Sequence, residues 1–249
     1  MVNKEFNEMK SGDTPFIEAL NAVFVKYSGY KNNQKYKEFT NTPFGNYISR
    51  VHNRVAEIIQ NAEDMEMIRT LITEHDPGFS KLERETDSAK LIRYHYENFF
   101  IRIGKVKDLL LLLINDVLLL DLKKGLSMEN QLLKILPSQY PYFPAVWNQV
   151  KGQLDKLKPY RNHLAHNGTI QFEDLTLLDI YYKYDFKHKN HLEQYKYSFA
   201  MGDIQRKMVD KITNIIKVYI QNVDQIVKLI YTFLTQPLIN SLKKFTSRT

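Results

Sequence analysis

The sequence predicts an all-α protein, an antiparallel helical bundle with an N-terminal helical extension and a small β-hairpin insertion. Glycine and proline are few, 9 and 8 among 249 residues, so the chain has few points at which a helix must end. Most apolar residues recur at the three- and four-residue spacing of one helix face. Residues 177–199 alone change to the two-residue alternation that is typical of strands.

The N-terminal extension is predicted to contain two helices. The first covers residues 15–27, where Thr14 offers a capping hydroxyl and a proline follows it in the first turn. Residues 31–42 are polar and aromatic, and we expect them to form a loop. The second helix covers residues 44–74, and it ends before Pro77, which disfavours helix in the residue that precedes it.

A third helix, predicted over residues 84–122, carries the strongest periodic signal in the chain. Its apolar residues alternate steps of four and three over about four heptads, which is typical of a helix that packs along a seam. Its most apolar run, residues 109–120, is too short to span a bilayer, so we interpret it as a buried helix and expect no membrane partner. The seam residues are Ile92, Tyr96, Phe99, Ile103, Val106, Leu110, Leu113, Val117 and Leu120.

The remaining elements follow a break between Gly125 and Pro144. A fourth helix is predicted over residues 145–166, and a hairpin over about 177–199 follows it. A last long helix is predicted over residues 202–234. We therefore divide the chain into an extension, residues 1–80, and a helical bundle, residues 81–249, that contains the hairpin.

Composition excludes several classes of function. There is no cysteine, which excludes disulfides, thiolate catalysis and cysteine-ligated metal sites. The N-terminal residues are charged and contain no apolar core segment, so we expect no signal peptide and a cytoplasmic location. The net charge of +7 makes a polyanionic partner plausible, nucleic acid above all.

The residues that carry chemistry cluster near the end of the fourth predicted helix. Arg161, Asn162, His163 and His166 lie within six residues of one another. Arginine is a permanent cation that grips phosphate with a planar fork of donors. Histidine is the side chain best suited to proton transfer near neutral pH. Together these residue types can break a phosphodiester bond without a metal.

The spacing Arg161-x-x-x-x-His166, with polar Asn162 after the arginine, resembles the signature of the HEPN superfamily (higher eukaryotes and prokaryotes nucleotide-binding). The resemblance includes the context, since a long helix, a helix that ends in the motif and a closing helix follow one another over residues 82–242. The N-terminal segment and the hairpin depart from the minimal family and look like elaborations of a larger bacterial member.

The resemblance implies metal-independent cleavage of RNA by a homodimer. His166 would take the proton of the 2′-hydroxyl or give one to the leaving 5′-oxygen. Arg161 would stabilise charge on the phosphoryl group, and Asn162 would orient the arginine or the phosphate. His163, Arg102 and Lys105 are candidates for substrate contacts. No cofactor is implied.

Helix geometry adds a constraint on this site. Residues five apart on a straight α-helix are separated by about 140° around the axis and about 7.5 Å along it. Arg161 and His166 of one chain therefore cannot easily share one phosphate. Either the helix loosens before His166, or the site is assembled across a two-fold dimer.

Each of these residues also has a structural interpretation. His166 can interact with the helix dipole, and Arg161 can form a surface salt bridge. The pair Arg69 and His75 matches the same spacing rule, but we interpret it as surface residues near the end of a helix. His163 and His166 could share a metal, although two histidines without a third ligand are a weak signal and we predict no metal site.

Two other features could contact RNA. The third helix places Arg102 and Lys105 among apolar residues, where they could border the same cleft, but a solvated helix face is the preferred interpretation. Residues 181–189 interleave aromatic and basic side chains, as surfaces that bind single-stranded RNA do. A hairpin that packs its tyrosines on the bundle, with lysines that protect its edge, is the preferred interpretation of that segment.

Two functions from different classes fit the sequence. The first is a HEPN-type endoribonuclease that acts as a homodimer, as a toxin or defence effector with a cognate antitoxin. The second is a non-catalytic helical module that binds nucleotides or RNA or mediates assembly. Both would keep the same fold and basic charge.

Overall fold

The computed structural model describes residues 14–28, 33–74, 88–125, 127–156 and 191–247. Within these ranges every regular element is helical. In chain order they are α1 (Pro15–Ser28), α2 (Asn33–Thr40), α3 (Pro43–Thr73), α4 (Ser88–Val117), α5 (Met128–Ile135), a 3-10 turn (Leu136–Ser138), α6 (Phe143–Asp155) and α7 (His191–Thr246).

The prediction of an all-α fold is confirmed, and the long helices lie where the periodicity placed them. Helix α1 begins as expected, because the hydroxyl of Thr14 accepts a hydrogen bond from the backbone N–H of Ile17 at 3.4 Å. In α4 the first eight residues of the heptad seam are all buried, with at most 4% of each exposed. The seam therefore faces a core, as its spacing indicates.

The β-hairpin prediction is wrong for the part that the structure describes. Residues 192–199, interpreted as its second strand, form the start of α7. The first predicted strand, residues 178–187, lies outside the described residues. In residues 192–199 the aromatic residues fit both periods, since Tyr195 and Phe199 are also one helical turn apart. The segment that follows is strongly periodic and helical, and propagation of that helix toward the N-terminus favours helix over strand for residues 192–199.

Other boundaries also differ from the predictions. Helix α4 ends at Val117, before the predicted end at residue 122, and α6 ends at Asp155, before the predicted end at residue 166. Helix α2 occupies most of the segment predicted to be a loop, and α5 with the 3-10 turn occupies much of the predicted break before α6. Helix α7 extends the last helix at both ends, beyond residues 202–234. Helices α2 and α5 have 8 residues each, and two turns contain too few apolar residues for their period to be recognised.

The chain divides into two compact units, and each draws helices from both the predicted extension and the predicted bundle. Unit 1 consists of Met1–Asn61, Lys105–Lys156 and Asn222–Thr249, and unit 2 consists of Ala62–Gly104 and Leu157–Gln221. Helices α3, α4 and α7 each contribute one part to unit 1 and another part to unit 2.

The core of unit 1 is rich in large aromatic side chains. Phe16 of α1 stacks on Tyr231 of α7 with ring centroids 5.0 Å apart, and Phe143 stacks on Trp147 within α6 at 6.1 Å. Trp147 is fully buried. Phe143 also contacts Phe233 of α7, with ring centroids 5.5 Å apart. Aromatic pairs contribute about 0.5–1.5 kcal/mol beyond the burial of their area, so the pairs with Tyr231 and Phe233 join α1 and α6 to α7.

The core of unit 2 has a second aromatic cluster. Phe99 and Phe100 of α4 contact each other and also Tyr219 of α7, with ring centroids 6.4 Å and 6.2 Å from that tyrosine. Tyr96 meets Phe100 edge to face. Across the ranges described, no helix combines the length and the apolar character that crossing a membrane requires.

Candidate functional site

The predicted motif lies between α6 and α7. Arg161, Asn162, His163 and His166 fall in residues 157–190, outside the described residues. The helix predicted to lead into them is present up to Asp155, the last residue of α6. The structure describes the helices that flank the motif in sequence, α6 and α7, and the surroundings of the other predicted site residues, Arg102 and Lys105.

Arg102 and Lys105 lie on α4, as expected. The guanidinium of Arg102 forms an ion pair with the carboxylate of Asp64 on α3. Lys105 is exposed. A phosphate that binds Arg102 would therefore compete with a carboxylate already in contact with it, while Lys105 is accessible from solvent.

The second arginine–histidine pair shows one of its members engaged on its own helix. Arg69 Nε donates a hydrogen bond to Glu66 Oε2 at 2.7 Å, three residues earlier on α3. This is the partly exposed helix pair that the surface interpretation implies. His75 lies outside the described residues.

A buried charge cluster in unit 1 was not predicted. Asp116, near the end of α4, is only 4% exposed and faces two arginines of α3. Arg54 Nε donates a hydrogen bond to Asp116 Oδ2 at 3.3 Å, and Arg50 Nε lies 3.3 Å from Oδ1. Arg50 and Arg54 are one helical turn apart, so they meet the carboxylate from the same face of α3.

Burial and the two arginines act in opposite directions on this carboxyl group. Burial raises the pKa of Asp116, and the hydrogen bond from Arg54 with the charges of Arg50 and Arg54 only partly offsets it. The ionised carboxylate therefore depends on both cations for compensation. Arg50 also reaches the exposed Asp121, with 3.4 Å between Nη1 and Oδ1.

The loop that follows α4 is tied back to that helix by Asn115. Its side-chain oxygen accepts a hydrogen bond from the backbone N–H of Leu122 at 2.9 Å, and its side-chain nitrogen donates to the Leu122 carbonyl at 3.4 Å. Between them, Leu119 and Asp121 have positive φ angles of 54° and 49°, an uncommon conformation for residues other than glycine. The buried amide therefore holds a tight turn.

Tyr47 completes the contacts at this end of α4. Its hydroxyl donates a hydrogen bond to the carbonyl of Val117 at 3.1 Å, one of the carbonyls that a helix end leaves without an intrahelical partner. Burial raises the pKa of Tyr47 to about 12, so the phenol stays protonated and remains a donor at neutral pH.

A second cluster in unit 1 anchors α6, the helix that leads toward the motif. Glu129 of α5 accepts a hydrogen bond from Trp147 Nε1 of α6 at 2.9 Å and another from Lys107 of α4. Lys151 Nζ lies 3.9 Å from the same carboxylate. Burial raises the pKa of Glu129, but these hydrogen bonds and charges more than compensate and leave it below its ordinary value.

These clusters position helices, and their cations are already engaged by carboxylates. Among the residues that the structure describes, no group of three histidine, cysteine, aspartate or glutamate side chains is arranged to hold a metal ion. Two signals in the sequence point to the Asp116 cluster. Asn115 and Asp116 interrupt an apolar run, and Arg50 and Arg54 are spaced by one turn, but neither signal identifies the other as its partner.

Comparison with protein families gives one match. The family described as Cthe2314-like HEPN matches residues 47–231, more than half of the chain. The matched segment begins in α3, includes α4 to α6 and the motif residues 161–166, and ends in α7. No curated protein and no solved structure matches the chain significantly.

Proposed function

We propose that this chain, which belongs to the HEPN superfamily, is a metal-independent endoribonuclease. The observation that carries the proposal is the position of the motif inside the matched segment. Arg161 and His166 are separated by four residues, with polar Asn162 directly after the arginine. Arg69 and His75 satisfy a similar spacing and also lie inside the matched segment. The choice between the two pairs is therefore supported by Asn162 directly after Arg161 and by the engagement of Arg69 with Glu66 on its own helix.

The proposed reaction is a transfer within the RNA strand. The 2′-hydroxyl attacks the adjacent phosphorus, the bond to the 5′-oxygen breaks, and a 2′,3′-cyclic phosphate remains. His166 moves the proton of the attacking or leaving oxygen. Arg161 stabilises the charge on the phosphoryl oxygens, and Asn162 orients the arginine or the phosphate.

The remaining assignments extend this proposal to partners. His163, Arg102 and Lys105 are proposed to contact the substrate, and the net charge of +7 supports RNA as that substrate. We further propose a homodimer that acts in the cytoplasm as a toxin or defence effector, with a cognate antitoxin as a partner. The alternative function is a non-catalytic module that only binds RNA or nucleotides. The experiment below distinguishes it from the ribonuclease.

Substitutions in the motif test the proposal. His166→Ala is expected to lower the rate of RNA cleavage by about 10²–10⁴-fold, because proton transfer is lost. Arg161→Ala is expected to cost a comparable factor through lost charge stabilisation. Cleavage of a labelled RNA under single-turnover conditions measures both, and circular dichroism checks that each variant is folded.

Arg69→Ala is the matched control, because this arginine pairs with Glu66 on its own helix. It should leave the rate nearly unchanged, and His75→Ala should as well. If these controls lower the rate and the motif variants do not, the wrong pair has been chosen. A well-folded wild-type protein that binds RNA without cutting it would support the non-catalytic module.

A further inference from the structure

We infer that one end of unit 1 carries a surface that binds single-stranded RNA, formed by phenylalanines and lysines from three segments of the chain. This inference rests on the proposed function, because it names unpaired RNA as the substrate class of the proposed ribonuclease. We call it the lysine–phenylalanine surface, and its residues are Phe44, Lys123, Lys124, Lys243, Lys244 and Phe245.

The two phenylalanines meet where the end of α7 packs on the start of α3. The rings of Phe44 and Phe245 have centroids 5.4 Å apart, and Phe245 also stacks on Tyr47 at 5.3 Å. Tyr47 is buried, whereas both phenylalanines are half-buried. The pair therefore lies at the edge of the core, with part of each side chain accessible to solvent.

The same part of α3 holds the loop that follows α4. Tyr47 donates a hydrogen bond to the Val117 carbonyl at 3.1 Å. Arg50, about one turn beyond Tyr47 on α3, reaches Asp121 in the loop, with 3.4 Å between Nη1 and Oδ1. Two lysines follow Asp121 within three residues, so they belong to a segment that is fixed beside the turn of α3 that α7 contacts.

The four lysines of the surface are exposed, and their charges are not balanced within their own segments. Residues 118–125 and 239–246 contain one carboxylate, Asp121, and Arg50 already engages it. Across the part of the chain that the structure describes, none of the four lysines forms an ion pair. The dipole of α7 favours cations in its last turn, so these side chains stay available to phosphate.

Cations beside aromatic rings are the chemistry of a site for single strands. Lysines neutralise the phosphates of the backbone, and a partly exposed ring offers a face to an unpaired base. In duplex RNA the bases are stacked on one another, so the phenylalanines would have no base to contact. An acidic polypeptide would satisfy the lysines but carries no planar base, so RNA is the better match.

Three cations of unit 2 show the contrast. Arg102 pairs with Asp64, Arg69 with Glu66 and Lys207 with Asp203. A phosphate that binds one of these cations has to compete with a carboxylate, whereas no carboxylate has to be displaced from the four lysines of unit 1.

Fluorescence anisotropy with a labelled oligonucleotide measures binding to the surface. The probe is a 2′-O-methyl RNA of about 12 nucleotides, which lacks the hydroxyl that attacks in the proposed reaction and therefore stays intact. The full chain should bind the single strand about tenfold or more tightly than a duplex of the same sequence.

The lysines are tested in pairs. Lys243→Ala with Lys244→Ala should weaken binding and flatten its dependence on salt, and Lys123→Ala with Lys124→Ala should do the same. Each lost phosphate contact lowers the slope of log K against log salt by about 0.7 for single strands, so each pair should lower it by about 1.4. The matched control is Lys207→Ala with Lys217→Ala, two exposed lysines of α7 in unit 2, which should leave the slope unchanged.

Phe245→Leu tests the aromatic ring. Leucine keeps an apolar contact with Tyr47 but has no aromatic face, so the dissociation constant for the single strand should rise about tenfold. Phe233→Leu is the matched control, because that ring packs on Tyr140 and Phe143 and the variant should bind as the wild type does. Circular dichroism checks that both variants are folded.

The surface and the proposed ribonuclease fail in distinguishable ways. Equal affinity for single strand and duplex, or an unchanged salt slope in the lysine variants, overturns the surface even if RNA is cut. Polyglutamate that binds as tightly as the single strand makes an acidic polypeptide the occupant and overturns it too. An unmodified strand that binds through this surface and is never cut overturns the proposed function and leaves the surface.

Discussion

At the scale of single residues, the buried charges of unit 1 join helices that are distant in sequence. Asp116 contacts Arg50 and Arg54 across more than 60 positions of the chain. A buried pair of this kind adds little net stability, but removal of one partner leaves an uncompensated charge. The two arginines are partly exposed, at 36% and 21% of their side chains, so water can reach them more easily than it reaches Asp116.

Arg54→Ala is therefore expected to destabilise the protein by about 1–3 kcal/mol. Asp116→Asn should cost less, because it removes the buried charge itself. The pKa of Asp116 is raised in the folded protein, so its carboxyl takes up a proton as the pH falls through that pKa. Protonation removes the uncompensated charge, and the stability lost in Arg54→Ala should therefore be partly recovered at acidic pH. Urea unfolding of both single variants and of the double variant, at neutral and acidic pH, measures these differences.

The exposed pair of Lys207 and Asp203 on α7 is the control, with side chains 76% and 46% exposed. Lys207→Ala should change the free energy of unfolding by less than about 0.5 kcal/mol. If Arg54→Ala is equally mild, or if Asp116→Asn does not reduce its effect, the cluster is not compensating a buried charge.

At the scale of elements, the close approach of α2 to α3 depends on one glycine. The hydroxyl of Thr42 donates to the carbonyl of Phe39 at 2.7 Å and accepts from the N–H of Gly45 at 2.9 Å, so it connects the end of α2 to the start of α3. A Cβ atom on Gly45 would lie 1.8 Å from the Phe39 carbonyl oxygen. No side-chain rotation can relieve this contact, because the obstacle is backbone.

Gly45→Ala should destabilise the protein by about 1–3 kcal/mol, although alanine is the better helix former. Gly152→Ala in α6 is the opposite case, since a Cβ there would meet no atom within 4 Å. That variant should gain up to about 1 kcal/mol from helix propensity. Thermal unfolding of the two variants compares them directly, and the expectation fails if both shift the midpoint in the same direction.

At the scale of the whole molecule, the described helices form the scaffold and the motif carries the proposed chemistry. The match to the HEPN family over residues 47–231 includes long helices of both units and the segment between α6 and α7. Glu129 fixes α6 through Trp147, so the helix that enters the motif segment is held by its buried contacts.

If His166 and Arg161 supply the catalysis, RNA cleavage should continue in excess chelator and leave 2′,3′-cyclic phosphate ends. Proton transfer by the histidine and charge stabilisation by the arginine require no metal. End-group analysis of the products with and without chelator measures this. Loss of cleavage on chelation, with restoration by a divalent cation, would reject the mechanism and favour a metal held by His163 and His166.

The sequence by itself determined the helical class, the extent of α3 and the buried seam of α4, and it led to the HEPN family through six residues. These features are periodic or local, so they can be predicted without knowledge of the helices that pack against them. The motif's role stays a prediction, because Arg161, Asn162 and His166 lie outside the described residues.

Only the tertiary structure decided where short or ambiguous segments belong and which charges meet. Residues 192–199 fit both a strand and a helix, and their continuity with α7 settles the choice. The partners of Asp116 lie on a different helix, and the sequence contains no rule that pairs them. Such contacts depend on the way in which the long helices pack against one another. That packing balances the burial of side chains against the compensation of buried charges, and no local sequence pattern encodes it.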